Sequence, residues 1–146
     1  MEPVKKEVPK GKITREVAEA DITAWMDGKK LTQSQRDQNK DSIDTLVDSV
    51  MDGVLRRDET TNALIHTLAF PIGKQSEQTT QVSELTYKPR LNDKQKQSEM
   101  KGVKANDFDG RFNALIAALT GKTRGEIELL DTVDHRIALS VGIFFT

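Results

Sequence analysis

Cysteine is absent from this 146-residue sequence, and His66 and His135 are its only histidines. The chain therefore has no disulfide, no thiolate metal ligand and no cysteine nucleophile. It also lacks the three imidazoles of a zinc site built on histidine alone. No run of about 18 apolar residues occurs, so the sequence predicts no transmembrane helix. Lysines near the N-terminus are not followed by an apolar run, which predicts no secretory signal.

Aromatic residues make up only 5% of the chain, whereas charged residues make up 31%. The charges balance, because 22 Lys+Arg face 23 Asp+Glu and the formal net charge is −1. A protein that grips nucleic acid with its whole surface would carry a strong positive excess. The composition therefore indicates a small apolar core in a very polar shell, and it excludes classes of function without naming one.

The first 60 residues predict an arm followed by helices. Residues 1–12 hold two prolines, a glycine and four lysines, too little apolar surface to bury, so we predict a flexible arm. Residues 13–60 are predicted to be helical, with Thr14 and Thr32 as N-caps. The second helix is predicted to run unbroken over 33–52. Its apolar stripe includes Ile43, Leu46, Val47, Val50 and Met51.

Residues 61–146 predict a β-hairpin followed by helices. Strands are expected over 61–70, ending at Pro71, and over 82–88. Helical spacing returns after residue 92, and the last helix carries the stripe Val133, Ile137, Val141, Phe144 and Phe145. The order predicts an α+β fold: a small antiparallel β-hairpin packed with a C-terminal cluster of helices, plus an N-terminal helical pair. The predicted core comprises Leu64, Leu68, Phe70, Leu85, Phe112, Leu115, Ile116, Leu119, Ile127 and Leu130.

No pattern of residues predicts catalysis or a bound cofactor or metal. The chain has no GxSxG, Walker A or GxGxxG motif. His66 is interpreted as a core or edge histidine, because no motif supplies a carboxylate or nucleophile beside it. His135, between Asp134 and Arg136, is interpreted as a surface residue.

Two charged segments leave alternatives open. The row Asp41, Asp44, Asp48 and Asp52 lies on one helix face. One straight helix cannot wrap a cation, so the row predicts a solvated face or an acidic strip for a partner, with a metal site as the least favoured alternative. The basic run over 88–104 predicts a solvated linker, with an acidic protein partner or nucleic acid as alternatives. The last predicted helix offers Arg136 alone to base edges, so sequence-specific DNA binding is not expected.

Short motifs follow one another in a distinctive order between residues 64 and 145. A strand contains LAFPI at 68–72, and the next strand reads ELTYKPR at 84–90. A helix then closes on Leu-Thr-Gly at 119–121, a short helix carries Ile127 and Leu130, and the last carries Asp134, Leu139 and Phe144. In this order the motifs resemble the tail assembly chaperone family of Mu-like and related contractile-tailed bacteriophages. The N-terminal 60 residues lie outside the resemblance.

The resemblance implies a non-enzymatic function. Such proteins bind the tape-measure protein during tail assembly, keep its long hydrophobic helices soluble and help to recruit tail-tube protein. It implies a location in the host bacterial cytoplasm and absence from the mature virion, and it leaves self-association open. The candidate partner-binding residues are the two apolar stripes, with internal core as the alternative for both. A structural tail subunit (an adaptor or terminator) and a small DNA-binding regulator are the alternative functions.

Overall fold

The computed structural model describes residues 13–73 and 81–146, and in this part of the chain it confirms the α+β fold. The predicted arm over 1–12 lies outside the described residues. The helices are α1 Arg15–Gly28, α2 Gln33–Gln38, α3 Lys40–Met51, α4 Asp93–Met100, α5 Phe108–Thr120, α6 Arg124–Glu128 and α7 Thr132–Gly142, with a 3₁₀ turn at Ile143–Phe145. The strands are β1 Leu55–Arg57, β2 Leu64–Ile72 and β3 Val82–Tyr87.

The strands form one antiparallel sheet in the order β1-β2-β3, so the predicted hairpin is confirmed and gains a strand. The extra strand β1 has only three residues, too few to show alternation. Pro71 does not end β2 as predicted. It lies between Thr67 and Ile72, where the register with β3 shifts. The missing N–H of proline therefore costs no regular ladder bond there.

The predicted helix over 33–52 is two helices, α2 and α3, because Asn39 interrupts it. Asn39 has non-helical backbone angles, φ −121° and ψ 35°, and its side-chain amide donates to the carbonyl of Gln35 at 2.7 Å. Helix α2 has no buried residue. Without an apolar face against the core, nothing holds α2 in line with α3.

One hydrophobic core runs through the residues on both sides of position 60. The Trp25 ring of α1 meets the Phe144 ring edge-on, with centroids 5.7 Å apart. On the other side of the core, the Lys88 N–H after β3 donates to the Leu119 carbonyl of α5 at 2.9 Å. The predicted regions 13–60 and 61–146 therefore share their core.

Eight of the ten predicted core residues are buried, and the two phenylalanines are not. Phe70 is 53% exposed, so its prediction was wrong. The alternation that would place Phe70 beside Leu68 is broken by the register shift after Thr67. Phe112 is only partly buried, because its side of α5 borders an open cavity.

Candidate functional site

The two apolar stripes offered as partner-binding surfaces lie mostly within the chain's own core. Helices α3 and α7 pack against each other, and each buries its stripe there. A partner could reach these side chains only by opening the core. Buried are Leu46, Val47, Val50, Ile137, Val141 and Phe144; partly buried are Ile43, Met51 and Phe145; Val133 is 52% exposed.

A polar network lies inside the core. The Tyr87 hydroxyl oxygen is 2.8 Å from Nδ1 of His66, and Nε2 of His66 is 3.2 Å from Oδ1 of Asp134. All three side chains are closed to solvent. An ionised carboxylate only accepts hydrogen bonds, so we assign the imidazole proton to Nε2, and Nδ1 then accepts from the tyrosine hydroxyl.

Asp134 also holds the backbone of β2. Its Oδ1 accepts the N–H of Ala69 at 2.8 Å and its Oδ2 accepts the N–H of Phe70 at 3.0 Å. These donors lie beyond the N-terminal end of β1, past the point where the Thr67 N–H donates to the Val54 carbonyl. The carboxylate therefore takes the place of a missing strand partner and ties the first turn of α7 to the sheet.

Burial fixes the charge states in this network. It lowers the pKa of His66, against the opposing effects of the Asp134 charge and hydrogen bond. It also raises the pKa of Tyr87 well above its ordinary value, and the charge of Asp134 acts in the same direction. The imidazole and the phenol are therefore neutral near pH 7. Because the three side chains have almost no exposed surface, the geometry supports a structural role.

An open groove lies along the seam between α3 and α7 and reaches the start of α5; we call it the α3–α7 groove. Its larger part is a cavity of about 490 Å³ with Phe108, Phe112, Leu139 and Ile143 among its walls. A second cavity of about 360 Å³ shares Thr45 and Arg136 with the first and extends to Val133. The two cavities therefore adjoin each other at Thr45 and Arg136, and together they form the groove.

Exposed apolar side chains mark both ends of the α3–α7 groove. Phe108 is 73% exposed at one end, and Val133 is 52% exposed at the other. Phe108 also borders a third cavity, of about 230 Å³, beside Met100 and Leu115. Large exposed apolar side chains around an open depression are typical of a contact surface.

The rim of the α3–α7 groove is acidic. Asp41 and Asp109 line the larger cavity and are exposed, and Asp48 lines the smaller one. Among the described residues, neither Asp41 nor Asp109 makes an ion pair with a lysine or arginine. Arg15 reaches Asp48 at 3.6 Å. The one basic side chain in the walls of the two cavities is Arg136.

The acidic row that the sequence predicts has a basic partner in the structure. Arg15 also reaches Asp44 at 3.7 Å, in the predicted acidic row. In residues 13–73 and 81–146 no group of three or more acidic, histidine or cysteine side chains could hold a metal ion. No helix in the same residues is long and apolar enough to cross a bilayer.

Comparisons of the chain with protein-family models, with curated proteins and with solved structures find no match.

Sequence reasoning missed the carboxylate beside His66 because Asp134 lies 68 residues away along the chain. It also placed His135 at the surface, whereas this ring is half-buried and its Nε2 lies 2.8 Å from Oδ1 of Asn113. The helical spacing of Phe108 with Phe112, Leu115 and Leu119 predicts one apolar face. The position of Phe108 as the first residue of α5 leaves its ring in solvent instead.

Proposed function

We propose that this chain is a non-enzymatic tail assembly chaperone of a contractile-tailed bacteriophage. It would bind the tape-measure protein in the host cytoplasm, help tail-tube assembly and leave before the virion matures. The ordered motifs over residues 64–145 support the family. The observation that carries the function is the α3–α7 groove, an open depression with apolar walls beside Phe108, which has the highest exposed fraction among the large hydrophobic residues that the structure describes.

The motif residues support the walls of this groove. The helix that closes on Leu-Thr-Gly is α5, which carries Phe108 and Phe112 into the groove. The Asp of the last motif is Asp134, which fixes α7 against the sheet. The same short motifs that carry the resemblance therefore also position the candidate contact surface.

The groove suits a helical client. An amphipathic helix commonly lays its apolar face into a hydrophobic groove between helices of its partner. Here the surrounding surface is rich in charge, with 31% charged residues in the chain. The apolar stripe of a client helix bound in the groove would be covered, and the charged surface of this chain would face the solvent in its place. This arrangement keeps the complex in solution.

Co-expression with the tape-measure protein of the same phage tests the proposal. We expect tape-measure protein to stay in the soluble fraction and to co-purify with a tagged copy of this chain. The control is the same expression without the chain, where we expect the tape-measure protein in the pellet. Equal solubility in both cultures, with no co-purification, would refute the chaperone function.

Mass spectrometry of purified particles separates the chaperone from a structural tail subunit. A chaperone is expected in tail-assembly intermediates and absent from mature virions. A structural subunit would remain in mature virions at a fixed ratio to the tube protein, and that result would replace the proposal.

A further inference from the structure

We propose that the α3–α7 groove binds a lysine- or arginine-bearing amphipathic helix of a partner chain and selects it by charge. This inference rests on the proposed function, since it takes the occupant to be a helix of the client protein. It adds the place of binding and the chemistry that the client helix must carry.

The dimensions of the groove fit a short helical segment. Its wall along α3 runs from Asp41 to Asp52, the residue that caps the end of this helix, and a rise of 1.5 Å per residue makes this wall about 16 Å long. That length corresponds to about three turns of helix. The occupant is therefore a stretch of roughly eleven residues within a longer client.

The floor of the larger cavity supplies apolar anchors. Phe108 projects into solvent beside Phe112, Leu139 and Ile143, which are only partly buried. A large aromatic side chain at an open apolar cavity is the kind of residue that dominates binding energy when a partner covers it. We expect apolar side chains of the client, spaced three and four residues apart, to lie against this floor.

The acidic rim sets the sign of the partner's charge. Asp41 on α3 and Asp109 on α5 flank the larger cavity from two elements, and Asp48 extends the acidic wall along α3. Arg136 is the one opposing charge in the walls. Complementary charge speeds association and excludes partners of the same sign, so a helix with glutamates flanking its apolar stripe would be rejected.

A second copy of this chain fits the groove less well. The helix within its basic run is α4, which has two lysines, one aspartate and one glutamate, and Met100 is its only apolar residue among eight. That helix could meet the acidic rim but has no apolar face to cover Phe108. The groove needs both features in one segment, which favours a helix from a different chain.

Binding of two designed peptides to the full chain, followed by fluorescence anisotropy, tests the inference. Both peptides have about 14 residues and the same leucine and phenylalanine face; one carries lysines on its polar face and the other glutamates. We expect the lysine peptide to bind at least about tenfold more tightly. We also expect its affinity to fall as salt rises toward about 0.5 M.

Matched variants locate the binding. Phe108→Ser should weaken the lysine peptide by about tenfold, whereas Leu129→Ser, at a comparably exposed leucine outside the groove, should not change it. Asp41→Asn with Asp109→Asn should weaken it several-fold. Glu59→Gln with Glu128→Gln changes the net charge equally and should have no effect. Thermal melts confirm that each variant is folded.

Four results would overturn the inference. Equal affinity for both peptides would show that binding does not depend on the charge of the helix. Full affinity after Phe108→Ser would show that the peptide does not bind in the groove. Carbodiimide cross-links from Asp41 or Asp109 to lysines of a second copy, or of residues 1–12 of the same chain, would identify a different occupant. Tape-measure protein that co-purifies equally with all variants would overturn this inference and leave the proposed function standing. No co-purification with the unaltered chain would refute the proposed function itself.

Discussion

Asp134 accepts hydrogen bonds from three donors of one strand: the His66 ring and the backbone N–H groups of Ala69 and Phe70. No other side chain in the described part of the chain links helix α7 to the sheet through so many hydrogen bonds. A buried donor left without an acceptor loses its interaction with water and gains nothing in return. The stability of the α7–sheet contact therefore depends on this carboxylate.

Asp134→Asn should lower the free energy of unfolding by about 3 kcal/mol. The amide presents an NH₂ group where the carboxylate accepted, so at least one buried donor loses its partner. Urea denaturation measures the change, with Glu128→Gln, on an exposed side chain, as the control near zero. A loss no larger than that of the control would show that Asp134 does not hold the sheet.

The stability of the fold should decrease on mild acidification because of His66. Burial lowers the pKa of this imidazole below its ordinary value of 6.5, so the unfolded chain takes up a proton at a higher pH than the folded chain. Stability therefore rises with pH between the folded pKa and about 6.5, and falls as the pH is lowered through that window. The groups facing the ring are Tyr87, which is neutral, and Asp134.

Thermal melts between about pH 7.5 and pH 5.5 check this expectation. The melting temperature should fall with acidification, and the fall should be smaller in His66→Gln. His135, whose pKa burial also lowers against the opposing charge of Asp109, titrates in both proteins and cancels from the comparison. Identical slopes in the two proteins would contradict a buried neutral His66.

At the scale of elements, the turn after α7 closes the core over α1. Phe144 is buried against Trp25, and the Lys29 amine lies 3.3 Å above the Phe145 ring. Burial, together with the neighbouring charge of Arg90, lowers the pKa of Lys29 to about 8. Helix α1 and the 3₁₀ turn after α7 are therefore joined through aromatic contacts.

Phe144→Ala should reduce the free energy of unfolding by about 3–5 kcal/mol, because it removes a buried ring and leaves a cavity beside Trp25. Leu129→Ala is the matched control, since Leu129 is 65% exposed and should change stability by under about 0.5 kcal/mol. Chemical denaturation of both variants makes the comparison. Equal effects would show that the aromatic contact does not stabilise the core.

Periodicity predicted the elements that have a long apolar pattern. The stripe of α3 and the alternation in β2 were both visible in the sequence; the stripe exists, and the alternation holds from Leu64 to Leu68. Strand β1 has three residues and no visible period, and Asn39 breaks a polar segment in which no apolar pattern could mark the boundary. The exposure of Phe70 depends on the register shift in β2, which the sequence does not reveal. The contact between His66 and Asp134 joins residues that are far apart along the chain, so only the folded structure brings them together. The groove depends in the same way on how three helices meet.

At the scale of the whole molecule, a single core predicts a single unfolding transition. Trp25, the only tryptophan, lies in α1, whereas most helical residues lie elsewhere. Its fluorescence and the far-ultraviolet circular dichroism should therefore report the same midpoint in urea. Two separated midpoints would show that residues 13–60 and 61–146 unfold independently.

The surface charge is unevenly placed although the chain is nearly neutral. The acidic rim lies over α3 and the start of α5, while lysines cluster on and around α4, where the Lys96 amine reaches the Phe145 carbonyl at 3.4 Å. In a near-neutral protein, an apolar groove with an acidic rim can attract a cationic helix to that place without attracting cations over the whole surface. This arrangement favours a selective client contact.

Hydrogen–deuterium exchange of the full chain, alone and with the tape-measure protein bound, tests the central claim most directly. The account predicts slower exchange in the complex at peptides covering 40–51, 108–116 and 136–143, which form the α3–α7 groove. It predicts unchanged exchange over 55–62 and 124–130, which lie outside it. Exchange that stays the same throughout 40–51, 108–116 and 136–143 when the tape-measure protein is present would contradict the account.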